Sequence, residues 1–177
     1  MTGRGLPAFI DPIRLAAAAR ELMGGIPLAA MHRLGEAVLA LDGDAFLTLR
    51  FDRHDSCLGQ VRGTIEARVQ MRCQRCLQPA ELELRIPVAL GIVRSEAEAE
   101  RLPGDLDPLL LDDDRCRLSD LVEDELLLAL PVVAMHVKDA PECVPGKTEF
   151  KSEGSIDSGK SDVKRPFDVL ASLKKDH

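Results

Sequence analysis

Three stretches alternate between apolar and polar positions, and this period of two constrains the fold more than any other feature of the chain. In 45–52, Leu47, Leu49 and Phe51 alternate with Phe46, Thr48 and Arg50. In 60–72, Val61, Gly63, Ile65, Ala67, Val69 and Met71 alternate with Gln60, Arg62, Thr64, Glu66, Arg68, Gln70 and Arg72. In 81–92, Leu82, Leu84, Ile86, Val88, Leu90 and Ile92 alternate with Glu81, Glu83, Arg85, Pro87, Ala89 and Gly91. Successive side chains of a strand point to opposite faces, so the pattern predicts antiparallel strands with one dry and one wet face. Pro87 cannot donate to a ladder, which predicts an edge position or a bulge there. The wet face carries Arg50, Arg62, Arg68, Arg72 and Arg85.

Helical spacing appears on either side of these strands. Leu15, Ala18, Ala19 and Leu22 predict a helix over 12–22, with Pro12 in its first turn and Gly24-Gly25 as its stop. Pro27 opens a second short candidate with Leu28, Met31 and Leu34 along one side. Ser119 is the expected N-cap of a helix over 120–130, which Pro131 ends. Asp120, Glu123 and Asp124 fall in its first turn, where the helix dipole favours anions. Together these predict an α+β fold: an antiparallel sheet from 38–93, covered on its apolar face by the N-terminal helices and the 120–130 helix. The expected organisation is a single domain over 1–143, a flexible linker over 144–166 of polar composition, and a short amphipathic anchor over 167–177. In that anchor Phe167, Leu170 and Leu173 share a side, to dock either on the chain's own core or on a partner.

Charge and composition narrow the function. The net charge is −7, but residues 50–94 hold eight arginines against five acids, while 95–142 hold four basic residues against fourteen acids. This split disfavours a role coating polyphosphate and leaves a local basic surface on the strands. Five Phe with neither Tyr nor Trp argue against an aromatic platform for single-stranded RNA. The longest uncharged apolar run, Leu126 to Val137, is short for a bilayer span, and the N-terminus has no apolar core of a secretory signal, so neither a transmembrane helix nor an export signal is expected. The nucleophile elbow, the phosphate-binding glycine loops and the His-Glu-x-x-His pattern are all missing, so the expected role is non-enzymatic.

The remaining chemistry lies in the five cysteines. Cys73-Gln74-Arg75-Cys76 joins the two longest strands, and two thiolates at this spacing can reach one tetrahedral zinc ion from a tight turn. A closed site needs two more ligands, for which His136 and Cys143 are the candidates, with Cys116 a further one and Cys57 the weakest. Two alternatives stand beside zinc. One is a redox pair, which a hairpin tip does not favour because no helix N-terminus lowers the thiol pKa. The other is cysteines that merely pack.

Three passages carry a resemblance: "MRCQRCLQP" at 71–79, "LVEDELLLALPVVAMH" at 121–136 followed by Cys143, and "PFDVLASLKK" at 166–175. With "DPIRLA" at 11–16, they resemble the bacterial YceD family, the large ribosomal RNA subunit accumulation proteins. The resemblance implies a cytoplasmic protein needed for accumulation of 23S rRNA, and it carries the family's cysteine pair onto Cys73 and Cys76 and its later His and Cys onto His136 and Cys143. It implies no catalytic residue.

Two modes of action follow. In one, Arg62, Arg68, Arg72 and Arg75 contact RNA or a ribonucleoprotein, since arginine pairs with phosphate through two N–H groups; the competing reading pairs these arginines with Glu66, Glu81 and Glu83. In the other, the chain is an acidic adaptor that recruits a ribosomal protein or an RNA-processing enzyme through Phe167, Leu170 and Leu173 without touching RNA.

Overall fold

The computed structural model describes residues 5–137, 140, 141 and 143. In chain order the elements are β1 (Phe9–Ile10), α1 (Pro12–Ala17), β2 (Glu21–Pro27), a 3-10 turn (Leu28–Ala30), α2 (His32–Ala37), β3 (Asp44–Asp52), β4 (Gln60–Arg72), β5 (Pro79–Val93), α3 (Glu96–Ala99), β6 (Asp107–Leu110), β7 (Cys116–Arg117) and α4 (Leu118–Ala129). The fold is α+β. Its main sheet has the order β2-β3-β4-β5-β6, antiparallel except for the parallel β5–β6 pair, and β1 pairs with β7 in a separate ribbon.

The three alternating stretches form β3, β4 and β5. Arg72 lies opposite Pro79 at the tip of the β4–β5 hairpin and Gln60 opposite Gly91 at its base. The predicted dry face is the core: Leu47, Leu49, Phe51, Val61, Ile65, Val69 and Ile92 are almost wholly shielded from solvent. Burying each of the larger side chains contributes about 1.5–3 kcal/mol. Helix α4 lays Leu118, Leu121, Val122 and Leu126 over that face against β4 and β5, and α1 packs on β3. Pro87 pairs with Thr64 on one side, while β6 reaches only Leu90 to Val93 on the other, so Pro87 sits where β5 is locally an edge.

Three expectations are corrected. The helix over 12–22 ends at Ala17, because Ala19 takes a left-handed φ of 47° and turns the chain into β2. Gly24-Gly25 therefore lies inside a strand instead of stopping a helix. There the glycines leave room for the Leu6 and Phe46 side chains, which would press within 3.1–3.3 Å of an added Cβ. The sheet is also wider than 38–93: β2 adds an edge on one side and β6 a parallel edge on the other. Both are short, and neither shows a long alternation in sequence. Finally, the cap of α4 is Arg117, not Ser119. Ser119 lies within the helix and its hydroxyl donates to Asp120 at 3.2 Å.

The α4 acids join two helices. Glu123 is buried and accepts the Leu34 N–H at 3.0 Å, and Arg33 donates to it and to Asp124 at 3.0 and 2.6 Å. Burial by itself pushes the Glu123 carboxyl up, but the Leu34 N–H and the Arg33 guanidinium outweigh it and hold the carboxyl below its usual range. This ties α2 to α4. The linker over 144–166 and the anchor residues Phe167, Leu170 and Leu173 lie outside the described residues.

Candidate metal centre at the hairpin tip

The β4–β5 turn is shaped by its own backbone. The Leu77 N–H donates to the Cys73 carbonyl at 2.8 Å and the Cys73 N–H to the Gln78 carbonyl at 2.9 Å. Leu77 closes the turn with a left-handed φ of 62°. This coil points both cysteine side chains inward: Cys73 is fully buried and Cys76 nearly so.

After Pro131 the chain leaves α4 and passes beneath this tip. The Gln74 N–H donates to the Ala134 carbonyl at 2.9 Å, which docks the passing strap on the turn. His136 and Cys143 then arrive beside the pair. The ligand atoms of Cys73, Cys76, His136 and Cys143 all lie within 4.8 Å of one another. Cys57, whose thiol donates to the Gly59 carbonyl at 3.0 Å, and Cys116, in β7, are not members of this group.

The spacing suits a tetrahedral ion. With Zn–S near 2.3 Å, two sulfurs of one tetrahedron stand about 3.8 Å apart, and a sulfur and a ring nitrogen about 3.5 Å apart. Cys73 Sγ lies 3.8 Å from Cys143 Sγ, and Cys76 Sγ lies 3.4 Å from His136 Nδ1. The other ring nitrogen, Nε2, donates to the Pro79 carbonyl at 2.9 Å. That bond leaves the Nδ1 lone pair aimed at the sulfurs, the tautomer and orientation a metal-binding imidazole requires. The group could hold a metal ion, and its four protein ligands would leave no open position for substrate.

The surroundings act on Cys73 and Cys76 in opposite directions. Burial by itself raises the Cys73 thiol, but the N–H groups of Cys76, His136 and Arg75 and the His136 ring outweigh it and bring the value down to about 5. Burial and the neighbouring sulfurs push Cys76 up, against the Gln78 N–H. Thiols packed this closely do not ionise independently, and a divalent cation would relieve their mutual repulsion. Arg75 completes the set by donating its Nε–H to Cys143 Sγ at 3.0 Å. Three thiolates, a neutral imidazole and a divalent ion carry a net charge of −1, which the guanidinium of Arg75 balances.

The arginines read as RNA candidates therefore separate by environment. Arg75 faces the sulfur cluster. Arg62 pairs with Asp105 at 2.5 Å and Arg68 with Glu83 at 2.7 Å, while Arg85 reaches Glu66 at 3.3 Å. Arg68 and Arg85 pair with the residues directly opposite on the neighbouring strand, as their register dictates. Arg72 is exposed and makes no ion pair among the described residues. The role of Arg75 was legible only as a position between two cysteines, and the carbonyls of Ala134 and Pro79 carry no sequence signal at all.

The family model of YceD, described as large ribosomal RNA subunit accumulation protein, matches residues 61–174. That span includes the hairpin tip and the strap. A protein of Haemophilus influenzae named large ribosomal RNA subunit accumulation protein YceD is 31% identical over 170 residues, 96% of this chain and 96% of its own. No solved structure matches the chain. The resemblance carried by the cysteine turn, the helical passage and the closing segment is thus matched along nearly the whole length, and the chain belongs to the YceD family.

Proposed function

We propose that this protein is a non-enzymatic, cytoplasmic factor of large-subunit biogenesis that supports 23S rRNA accumulation, and that Cys73, Cys76, His136 and Cys143 hold a structural zinc ion at its tip. The functional part rests on the name shared by the family and the Haemophilus relative. The zinc part rests on one observation: four soft donors from two distant segments converge within 4.8 Å, with the imidazole already oriented. Zinc would staple the strap to the hairpin and so fix the surface around Arg72. Contact with RNA or ribonucleoprotein would use Arg62, Arg68 and Arg72, since exposed ion pairs are worth only about 0–1 kcal/mol and can be exchanged for phosphate.

A second reading has its own support. Val132, Val133, Met135 and Val137 are all exposed along the strap, next to the acidic α4. That surface suits an adaptor binding a basic ribosomal protein or an RNA-processing enzyme.

One measurement tests the metal and a second tests the RNA contact. Elemental analysis of untagged protein is expected to find about one zinc per chain, lost in Cys76→Ser; a content near zero in the wild type removes the metal. Gel-shift titration of precursor 23S rRNA across salt is expected to show weaker binding and a shallower salt slope for the Arg62→Ala, Arg68→Ala, Arg72→Ala triple variant. The slope should fall by about 0.7–0.9 for each phosphate that is no longer neutralised. Unchanged binding and slope would rule out this arginine surface as the RNA contact, and no binding by the wild type would favour the adaptor reading.

A further inference from the structure

Two of the three thiols at the tip stand close enough to join. Cys73 Sγ and Cys143 Sγ are 3.8 Å apart, and the Arg75 guanidinium donates to Cys143 at 3.0 Å. Cys143 is also the most exposed of the three, at 8% against 5% for Cys76 and 0% for Cys73. Solvent thus reaches the Cys143 residue slightly more than the other two, and the sulfur 3.8 Å from its own is that of the fully buried Cys73. Cys76 turns toward the His136 ring instead, at 3.4 Å.

We infer that Cys143 and Cys73 form a peroxide-sensitive modification site, with Cys143 oxidised first and Cys73 resolving it as a disulfide. The Cys143 thiolate attacks one oxygen of a hydroperoxide, the O–O bond breaks, hydroxide or alkoxide leaves, and a sulfenic acid forms on Cys143. The Cys73 thiolate then attacks that sulfur and displaces hydroxide. Both leaving groups take up a proton, so two sulfurs lose one electron each and one peroxide is reduced.

The consequence for the metal rests on the zinc reading, whereas the sulfur chemistry does not. A Cys73–Cys143 disulfide leaves only Cys76 and His136, too few ligands for a closed tetrahedral site, so zinc departs. The new bond spans the same two segments that the metal joins. The strap therefore stays attached, while Arg75 loses its thiolate partner and becomes an uncompensated cation beside Arg72. A Cys73–Cys76 disulfide would instead release the strap.

Trypsin distinguishes these products, because cleavage after Arg72, Arg75 and Lys138 places the three cysteines on fragments 73–75, 76–85 and 139–147. Full-length wild-type protein and its Cys57→Ser, Cys116→Ser variant are exposed to hydrogen peroxide beside a chromogenic zinc chelator, then mapped without reduction. The expected product links 73–75 to 139–147, accumulates mole for mole with released zinc, and reverts on adding dithiothreitol and zinc. A link between 73–75 and 76–85, sulfinic acid on Cys143 without a link, or zinc-bearing protein that yields no link overturns the assignment. Protein that arrives without zinc yet still links 73–75 to 139–147 keeps the oxidation site and discards the metal.

Discussion

Arg75 and Glu123 show how a charged residue is given its role by what surrounds it. Arg75 lies in a turn otherwise suited to meeting phosphate, but its Nε–H is directed at Cys143 Sγ. Partners of this kind set metal affinity, and removing one typically costs 10–100-fold. Arg75→Ala should therefore weaken zinc binding about tenfold in a competitive chelator titration, while Arg72→Ala leaves it unchanged. Equal affinities for the two variants would remove Arg75 from the site. Glu123 is the matching case in the core, an acid whose position at a helix start suggested a dipole role and whose burial shows another. Its carboxyl is held below the usual range by Leu34 N–H and Arg33, so its stabilising effect is complete above the unfolded carboxylate value of about 4.3 and fades as pH falls through the folded value. Glu123→Gln should lower stability by about 2 kcal/mol at neutral pH. Urea unfolding should show that gap shrinking as pH drops below about 4, and a gap independent of pH would contradict the ionised pairing.

At the scale of elements, the β4–β5 hairpin organises everything else. Its register fixes the Arg68–Glu83 and Arg85–Glu66 pairs, sends the aliphatic residues inward, and delivers the cysteine turn to its far end. At Gly63, opposite Leu49, this hairpin leaves no room for a side chain against β3. A Cβ there would lie 1.9 Å from the Thr48 carbonyl oxygen and 2.9 Å from its carbon, both backbone atoms of the paired strand. Gly63→Ala should cost about 3 kcal/mol, since one strand has to shift to admit the methyl. Calorimetry is the check, and a wild-type melting temperature would show that β3 can yield. Alternation in the sequence marked the face on which Gly63 falls but not the close approach that requires a glycine. The same limit explains β2, where Leu22, Gly24 and Ile26 alternate with Glu21 and Met23 only once β3 is beside them. Taken alone, Leu15 to Leu22 fits a helical period equally well.

At the scale of the whole molecule, the described core and the tail are separable in composition. The buried cluster is built from residues between Ile10 and Leu126, and the last ligand of the tip is Cys143. Removing 144–177 should therefore leave the melting temperature and zinc content of 1–143 unchanged. If Phe167, Leu170 and Leu173 form a partner anchor, the same truncation should abolish partner pull-down. A truncated chain that captures the full set of partners would refute the anchor, and one that melts early would show that the tail belongs to the core. By itself the sequence determined the three long strands, the cysteine turn between two of them, the apolar stripe of α4 and the split of charge along the chain. Each of these depends on neighbours a few residues apart, where the spacing of side chains follows directly from backbone geometry. Tertiary structure decided which arginines are neutralised, which carbonyls hold the strap and the imidazole, and that β6 runs parallel to β5. Those pairings join residues from 15 to 68 positions apart, and no local period records them. The convergence of Cys73, Cys76, His136 and Cys143 lies between the two: residue types and rough order suggested it, but only the path of the chain beneath the hairpin brings four donors to one point.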